Sequence, residues 1–99
     1  MKTFVKRGPA AVLRAEAEGL LMIAMTNTIR VPRVFELSEE ALVMEWLDFS
    51  APDEGFGERF GRALAALHAI PFGEPYGWLT DNFIGATPQV NARSDDWLA

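Results

Sequence analysis

Apolar and polar residues alternate from the start of the chain. Thr3-Phe4-Val5-Lys6 has β-favouring types and a period of two that points Phe4 and Lys6 to one face and Val5 to the other. Gly8-Pro9 ends this strand. From Ala10 to about Met25 the period becomes helical: Val12 or Leu13, Leu20, Ile23 and Ala24 recur on one side, while Arg14 and Glu18 are expected to pair at i, i+4 on a wetter one. Good helix formers fill the run, and Pro9 suits a first helical position. Thr26-Asn27-Thr28 breaks the helix, and Val31 before Pro32 demands extended backbone. Residues 34–37 and 42–46 then form two strand-like runs. Ser38-Glu39-Glu40-Ala41 between them is a polar link short enough to make them antiparallel neighbours.

Ser50 followed by Asp53 has the look of a helix N-terminal cap, after which Phe56, Phe60, Ala63, Leu64 and Leu67 trace one apolar face down to His68. Pro71, Gly73, Pro75 and Gly77 stop this second helix. From Tyr76 onward no period is sustained. Turn residues are interleaved there with Trp78, Phe83, Ile84 and Trp97, which predicts an ordered loop that needs a surface to pack against. His68 is expected to meet the helix dipole at a C-terminal position, and Asp81-Asn82 and Asp95-Asp96 read as turn and cap residues.

Composition narrows the functional classes. The 99 residues make room for one modest domain, and the 49% hydrophobic and 23% charged balance is that of a globular protein. Nine Lys and Arg against fourteen Asp and Glu give a net charge of −5, and no basic stripe exists to neutralise phosphates along a duplex, so nucleic acid is not an expected partner. With no cysteine there is no disulfide framework and no thiolate nucleophile, and a single His68 with scattered acids makes no metal-ligand pattern. The longest apolar run, residues 19–25, is far short of the ~20 residues that cross a bilayer, and no signal-peptide pattern opens the chain. The expectation is a cytoplasmic protein with no membrane partner.

Lys6 on the first strand and Glu16 on the following helix are the first candidates for chemistry. In a nucleotide site a lysine supplies a point charge to phosphate oxygens, and a helix carboxylate holds that lysine extended. The same two charges on an ordinary surface would form a solvated pair contributing about 0–1 kcal/mol. The order of elements favours the first reading. A lysine strand, a helix with a glutamate, an extended Arg30-Val31-Pro32 and a hairpin leading through residues 43–48 into another helix is the order of a kinase N-lobe. Phe4-Val5-Lys6, residues 15–20, Arg30-Val31-Pro32, residues 43–47 and residues 64–68 closely resemble the fructosamine (ketosamine) kinase family. So do Gly77-Trp78-Leu79-Thr80-Asp81-Asn82-Phe83-Ile84-Gly85, residues 87–91 and Asp96-Trp97, the most specific part of the match. The resemblance covers nearly the whole chain.

The resemblance implies an α+β fold: a partial protein-kinase-like N-lobe of antiparallel strands and one long helix, a hinge, and the start of a helical C-lobe. Residues 1–47 would be the partial N-lobe, and residues 48–99 the hinge exit, a helix and an inter-lobe loop. The family, related to aminoglycoside phosphotransferases, transfers the γ-phosphoryl group of ATP, with Mg²⁺, to a sugar hydroxyl on a glycated amine. By that analogy Lys6 would contact ATP phosphates, Glu16 would be its ion-pair partner, and Met44, Glu45, Trp46 and Leu47 would form the nucleotide hinge through backbone groups. As an apolar residue in an apolar strand, Met44 reads as core packing ahead of a residue chosen for nucleotide contact. Trp78, Asn82, Gln89 and Asn91 would line a sugar site or lock an irregular loop.

Phosphoryl transfer also needs an aspartate to orient the acceptor and acidic or amide ligands for the metal. No His-Gly-Asp or His-Arg-Asp segment occurs among the 99 residues, so no catalytic residue and no metal ligand is assigned. The expectation is a piece of a fructosamine-kinase-like protein, inactive by itself, that binds no cofactor tightly. The alternatives are a non-catalytic binding or regulatory module derived from a kinase lobe, and a plain α+β interaction domain. The acceptor and the oligomeric state are not legible in the sequence.

Overall fold

Leu42 and Met44, two residues apart on one strand, point to the same side of a sheet, and against that side the first helix packs. The structure is a computed structural model that describes residues 2–71, 77, 78 and 80–96. It begins with strand β1 (Thr3–Arg7), helix α1 (Ala10–Thr26), strand β2 (Val34–Leu37) and strand β3 (Ala41–Glu45). The three strands form an antiparallel sheet of order β1-β3-β2, so the last to appear in the chain is central. Phe4 stands opposite Met44 and Lys6 opposite Leu42, which puts Phe4 and Lys6 on the helix-facing side, while Val5 opposite Val43 faces away. A bulge at Phe35 shifts the register of β2, with Val34 opposite Met44 and Glu36 opposite Val43.

The core is small. Leu13 and Ala17 of α1 meet Leu42 and Met44, with Leu20 and Val34 packed around them. Leu13, Ala17 and Leu20 fall at i, i+4 and i+7, the stripe that a helix presents to one neighbour. Arg14 and Glu18 form no ion pair with each other, and Pro9 stands just before the helix rather than within its first turn. At the other end Asn27 takes the left-handed conformation (φ 53°) that asparagine tolerates, and its N–H donates to Ala24 C=O at 3.1 Å. The β2–β3 link is held by Ser38, whose Oγ accepts the N–H groups of Glu40 and Ala41.

Helix α2 (Phe56–His68) starts later than a Ser50 cap requires. Gly55 precedes its first residue and no side chain caps it. Asp53 instead accepts from the Gly55 N–H at 3.1 Å and from the Arg59 guanidinium at 2.8 and 3.0 Å, so the carboxylate bridges the turn to the helix without capping it. His68 is the last helical residue and is exposed. No side chain of α2 is buried among the described residues, and Phe56 and Phe60 stack with centroids 5.8 Å apart. The radius of gyration, 15.6 Å, exceeds the ~13 Å of a compact domain this long, and among the described elements α2 makes few contacts with the rest.

The expected irregular tail contains a hairpin, β4 (Asn82–Ile84) and β5 (Thr87–Gln89), turned at Gly85 with φ 60°. Three-residue strands are too short to show alternation, and Pro88 inside β5 removes the usual strand signature. β4 packs against α1, which supplies the surface this segment needs. Tyr76 and Trp97, like Gly73, Pro75 and Leu79, lie outside the described residues.

Candidate functional site

Strand alternation brings Phe4 and Lys6 to the same face, about 7 Å apart along β1. Lys6 Nζ donates to Glu16 Oε2 at 2.6 Å, bridging strand and helix, with the two side chains 45% and 32% exposed. That exposure leaves the ammonium reachable by a ligand anion. Phe4 points into a groove of about 250 Å³ that is also lined by Pro32, Met44, Glu45, Trp46, Leu47 and Phe49. Met44 is 6% exposed and belongs to both the core and the groove, so its two sequence readings are compatible.

Trp46 is held from three sides. Its ring lies 6.1 Å from that of Phe4 at a 45° tilt, Lys2 Nζ sits 5.1 Å from its centroid, and its Nε1–H donates to Asp48 Oδ1 at 3.0 Å. Glu45 accepts from Arg30 Nη2 at 2.9 Å and from the Arg33 N–H at 3.3 Å, which ties the extended segment before β2 to the end of β3. The Leu47 N–H has no hydrogen-bond partner among the described residues. The groove therefore offers an apolar slot, lined by Phe4, Pro32, Met44, Trp46, Leu47 and Phe49, that suits a flat heteroaromatic ring.

Asn82, Gln89 and Asn91 come together at the second hairpin. Asn82 Oδ1 accepts from Asn91 Nδ2 at 2.7 Å and from Gln89 Nε2 at 3.3 Å, and Gln89 Nε2 also donates to Asn91 Oδ1 at 2.8 Å. Asn91 is tied further to Thr80 C=O and, through its N–H, to Asp81 Oδ1. These bonds link the three amides to one another and fasten the hairpin. Trp78 is half-buried nearby in sequence, next to Gly77, which has φ 109° and whose lack of a Cβ lets the backbone pass close to Ala92 C=O. No three His, Asp or Glu among the described residues converge as metal ligands, and no described helix is long and apolar enough to cross a membrane.

Sequence reasoning missed Phe4, Pro32 and Phe49 as groove walls and Arg30 and Arg33 as partners of Glu45. The alternation that pairs Phe4 with Lys6 was a usable signal for the first. Nothing local announces the others, because they come from irregular segments assembled only by the fold.

The sequence profile of the fructosamine kinase family matches residues 2–99. A probable ketoamine kinase of Synechocystis is 45% identical over 103 residues, covering 97% of this chain and 35% of its own length. A chloroplastic protein-ribulosamine 3-kinase of Arabidopsis thaliana is 38% identical over 104 residues, covering 99% of this chain and 31% of its own. The chain thus spans about a third of the length of these curated relatives. The crystal structure of a candidate fructosamine-3-kinase from Haemophilus somnus superposes with a TM-score of 0.87 at 30% identity, over 96% of this chain and 35% of that one. Profile, relatives and backbone agree from one end of the chain to the other, and the protein belongs to the fructosamine kinase family.

Proposed function

We propose that these residues form the nucleotide-facing part of a kinase that uses ATP and Mg²⁺ to phosphorylate a sugar hydroxyl on a glycated amine. Residues 1–47 serve as the partial N-lobe, and residues 48–99 as the hinge exit, helix and inter-lobe loop at the start of a C-lobe. The observation that carries this reading is the placement of the Lys6–Glu16 pair on the same sheet face as the Phe4–Met44 groove, two residues along β1. A nucleotide with its base in the groove directs its anionic tail toward that ammonium. Glu16 keeps the Lys6 side chain extended, and the Leu47 N–H, which has no partner among the described residues, serves as a donor to the base edge.

Mg²⁺ neutralises phosphate charge in such reactions. The described residues bring no set of ligands together for it, so none of them is assigned to the metal. Trp78, Asn82, Gln89 and Asn91 act first as a lock on the β4–β5 hairpin, and any contact with sugar is made from that fixed frame. By themselves the 99 residues perform no phosphoryl transfer, since no acceptor-orienting aspartate of the His-Gly-Asp type is among them. A second reading, a non-catalytic module that pairs with a larger kinase, draws support from the uncovered Phe56–Phe60 stack on α2.

Three measurements on the 99-residue chain test the proposal. ATP consumption with a fructosylated amine should be absent. Calorimetry with MgATP should show weak or undetectable binding that Lys6→Met leaves unchanged. Millimolar adenosine should shift the NMR signals of Phe4, Met44, Trp46 and Leu47. Adenosine shifts confined to other regions would sink the nucleotide reading, and tight MgATP binding lost in Lys6→Met would overturn the view that the chain is inactive by itself.

A further inference from the structure

We propose that Glu45 is a positioning residue for the hinge groove: its carboxylate fastens the segment 30–33 to the end of β3 and so sets how wide the groove stands for a planar ring. The inference deepens the nucleotide reading and rests on it. Segment 30–33 belongs to no helix or strand, and every hydrogen bond it makes among the described residues has Glu45 as the other partner. Arg30 Nη2 donates to Oε2 at 2.9 Å, Arg33 N–H donates to Oε1 at 3.3 Å, and Glu45 N–H donates back to Arg33 C=O at 2.8 Å. Two of these three bonds use the Glu45 side chain.

Pro32 sits between the two anchored residues and lines the groove. It has no N–H with which to anchor itself, so its position is dictated by Arg30 and Arg33. The facing materials differ in rigidity. Met44 is locked into the core by Leu13, Ala17 and Leu42, and Phe4 is paired to it across the sheet. Pro32 comes from a segment outside the sheet and the helices, and Glu45 holds that segment. Arg30 also compensates the charge of a carboxylate that would otherwise border an apolar slot uncompensated.

The test compares the wild-type chain with Glu45→Ala, Glu45→Gln and Arg30→Ala by amide hydrogen exchange and by NMR titration with adenosine. In Glu45→Ala the Arg33 amide should exchange about tenfold faster while residues 42–44 keep their protection, and the adenosine dissociation constant should rise about two- to fivefold. Glu45→Gln retains an acceptor for Arg33 and should fall between wild type and Glu45→Ala. Arg30→Ala should weaken adenosine with Arg33 still protected. Unchanged adenosine affinity in Glu45→Ala overturns the inference and leaves the nucleotide reading standing. A wild-type chain with no adenosine response in the groove overturns both. If Glu45→Ala fails to fold, the decision falls to the other two variants, and wild-type affinity in both overturns the inference.

Discussion

Lys6 Nζ and Glu16 Oε2 meet at 2.6 Å although they lie ten residues apart on different elements. Both side chains are partly exposed, and a pair so hydrated contributes only about 0–1 kcal/mol to stability. Lys6→Met and Glu16→Gln should therefore each change the unfolding free energy by less than about 1 kcal/mol in urea titrations. A loss above about 2 kcal/mol in either would mark the pair as a structural staple rather than a charge kept available to a ligand.

The core gives the opposite expectation. Leu13 and Leu42 are fully buried and, among the described residues, only Ala17 and Met44 join them, so little surrounding structure can collapse into a cavity. Leu13→Ala or Leu42→Ala should cost about 2–4 kcal/mol, whereas Leu21→Ala on the same helix should stay within about 0.5 kcal/mol. Leu21 is 49% exposed, so it has little burial to lose. Circular dichroism during urea unfolding separates the two outcomes, and similar losses at all three positions would contradict this account of the core.

The elements that the sequence disclosed are those with a local signature. Phe4 and Lys6 alternate with Val5, α1 repeats at helical spacing through Leu13 and Leu20, and the Ser38–Ala41 link admits only a tight connection, so β1, α1 and the β2–β3 hairpin were readable, whereas the pairing of β1 with β3, the burial of Ala17 and the exposure of Ala24 were not. What was not readable has no such period. The β4–β5 hairpin hides behind Pro88 and three-residue strands, and Asp53 binds Arg59 instead of joining Ser50 in a cap. The groove needs Pro32 and Phe49 from irregular segments, and the contact that fixes the first of them spans fifteen residues, from Arg30 to Glu45. The proposal of a hinge at residues 44–47 comes from resemblance to a family, where periodicity alone assigns a buried strand.

At the end of α1, Asn27 occupies a left-handed conformation that a β-branched side chain resists. Asn27→Gly should leave stability unchanged or slightly raised, and Asn27→Val should lower it by about 1–2 kcal/mol. Thermal unfolding of the two variants side by side is sufficient. Equal midpoints would show that the helix end relaxes into another conformation.

Helix α2 presents Phe56 at 47% and Phe60 at 45% exposure, stacked on each other at 5.8 Å, on a helix with no buried residue. An apolar face of this kind on a chain alone in water favours association. The 99-residue chain should self-associate as its concentration rises, and Phe56→Ser combined with Phe60→Ser should shift sedimentation toward the monomer without loss of helix. A wild-type chain that stays monomeric at high concentration would show that the face is covered in solution.

Asn91 joins the hairpin to the segment before it. Its Nδ2 donates to both Asn82 Oδ1 at 2.7 Å and Thr80 C=O at 2.9 Å, while its Oδ1 accepts from Gln89. Asn91→Ala removes all three side-chain bonds and leaves Asn82 Oδ1 with the longer Gln89 contact alone, so the hairpin should open more readily by about 1–2 kcal/mol. Asn91→Asp is the sharper variant, because it keeps the size while setting two oxygen acceptors against each other where a donor stood. Amide exchange in β4 and β5 should accelerate in both variants, with β1 and β3 unaffected, since among the described residues α1 is the element against which the hairpin mainly packs. Exchange unchanged in both variants would mean that the amides are not the lock, and would return Asn82, Gln89 and Asn91 to the role of groups kept for a sugar ligand.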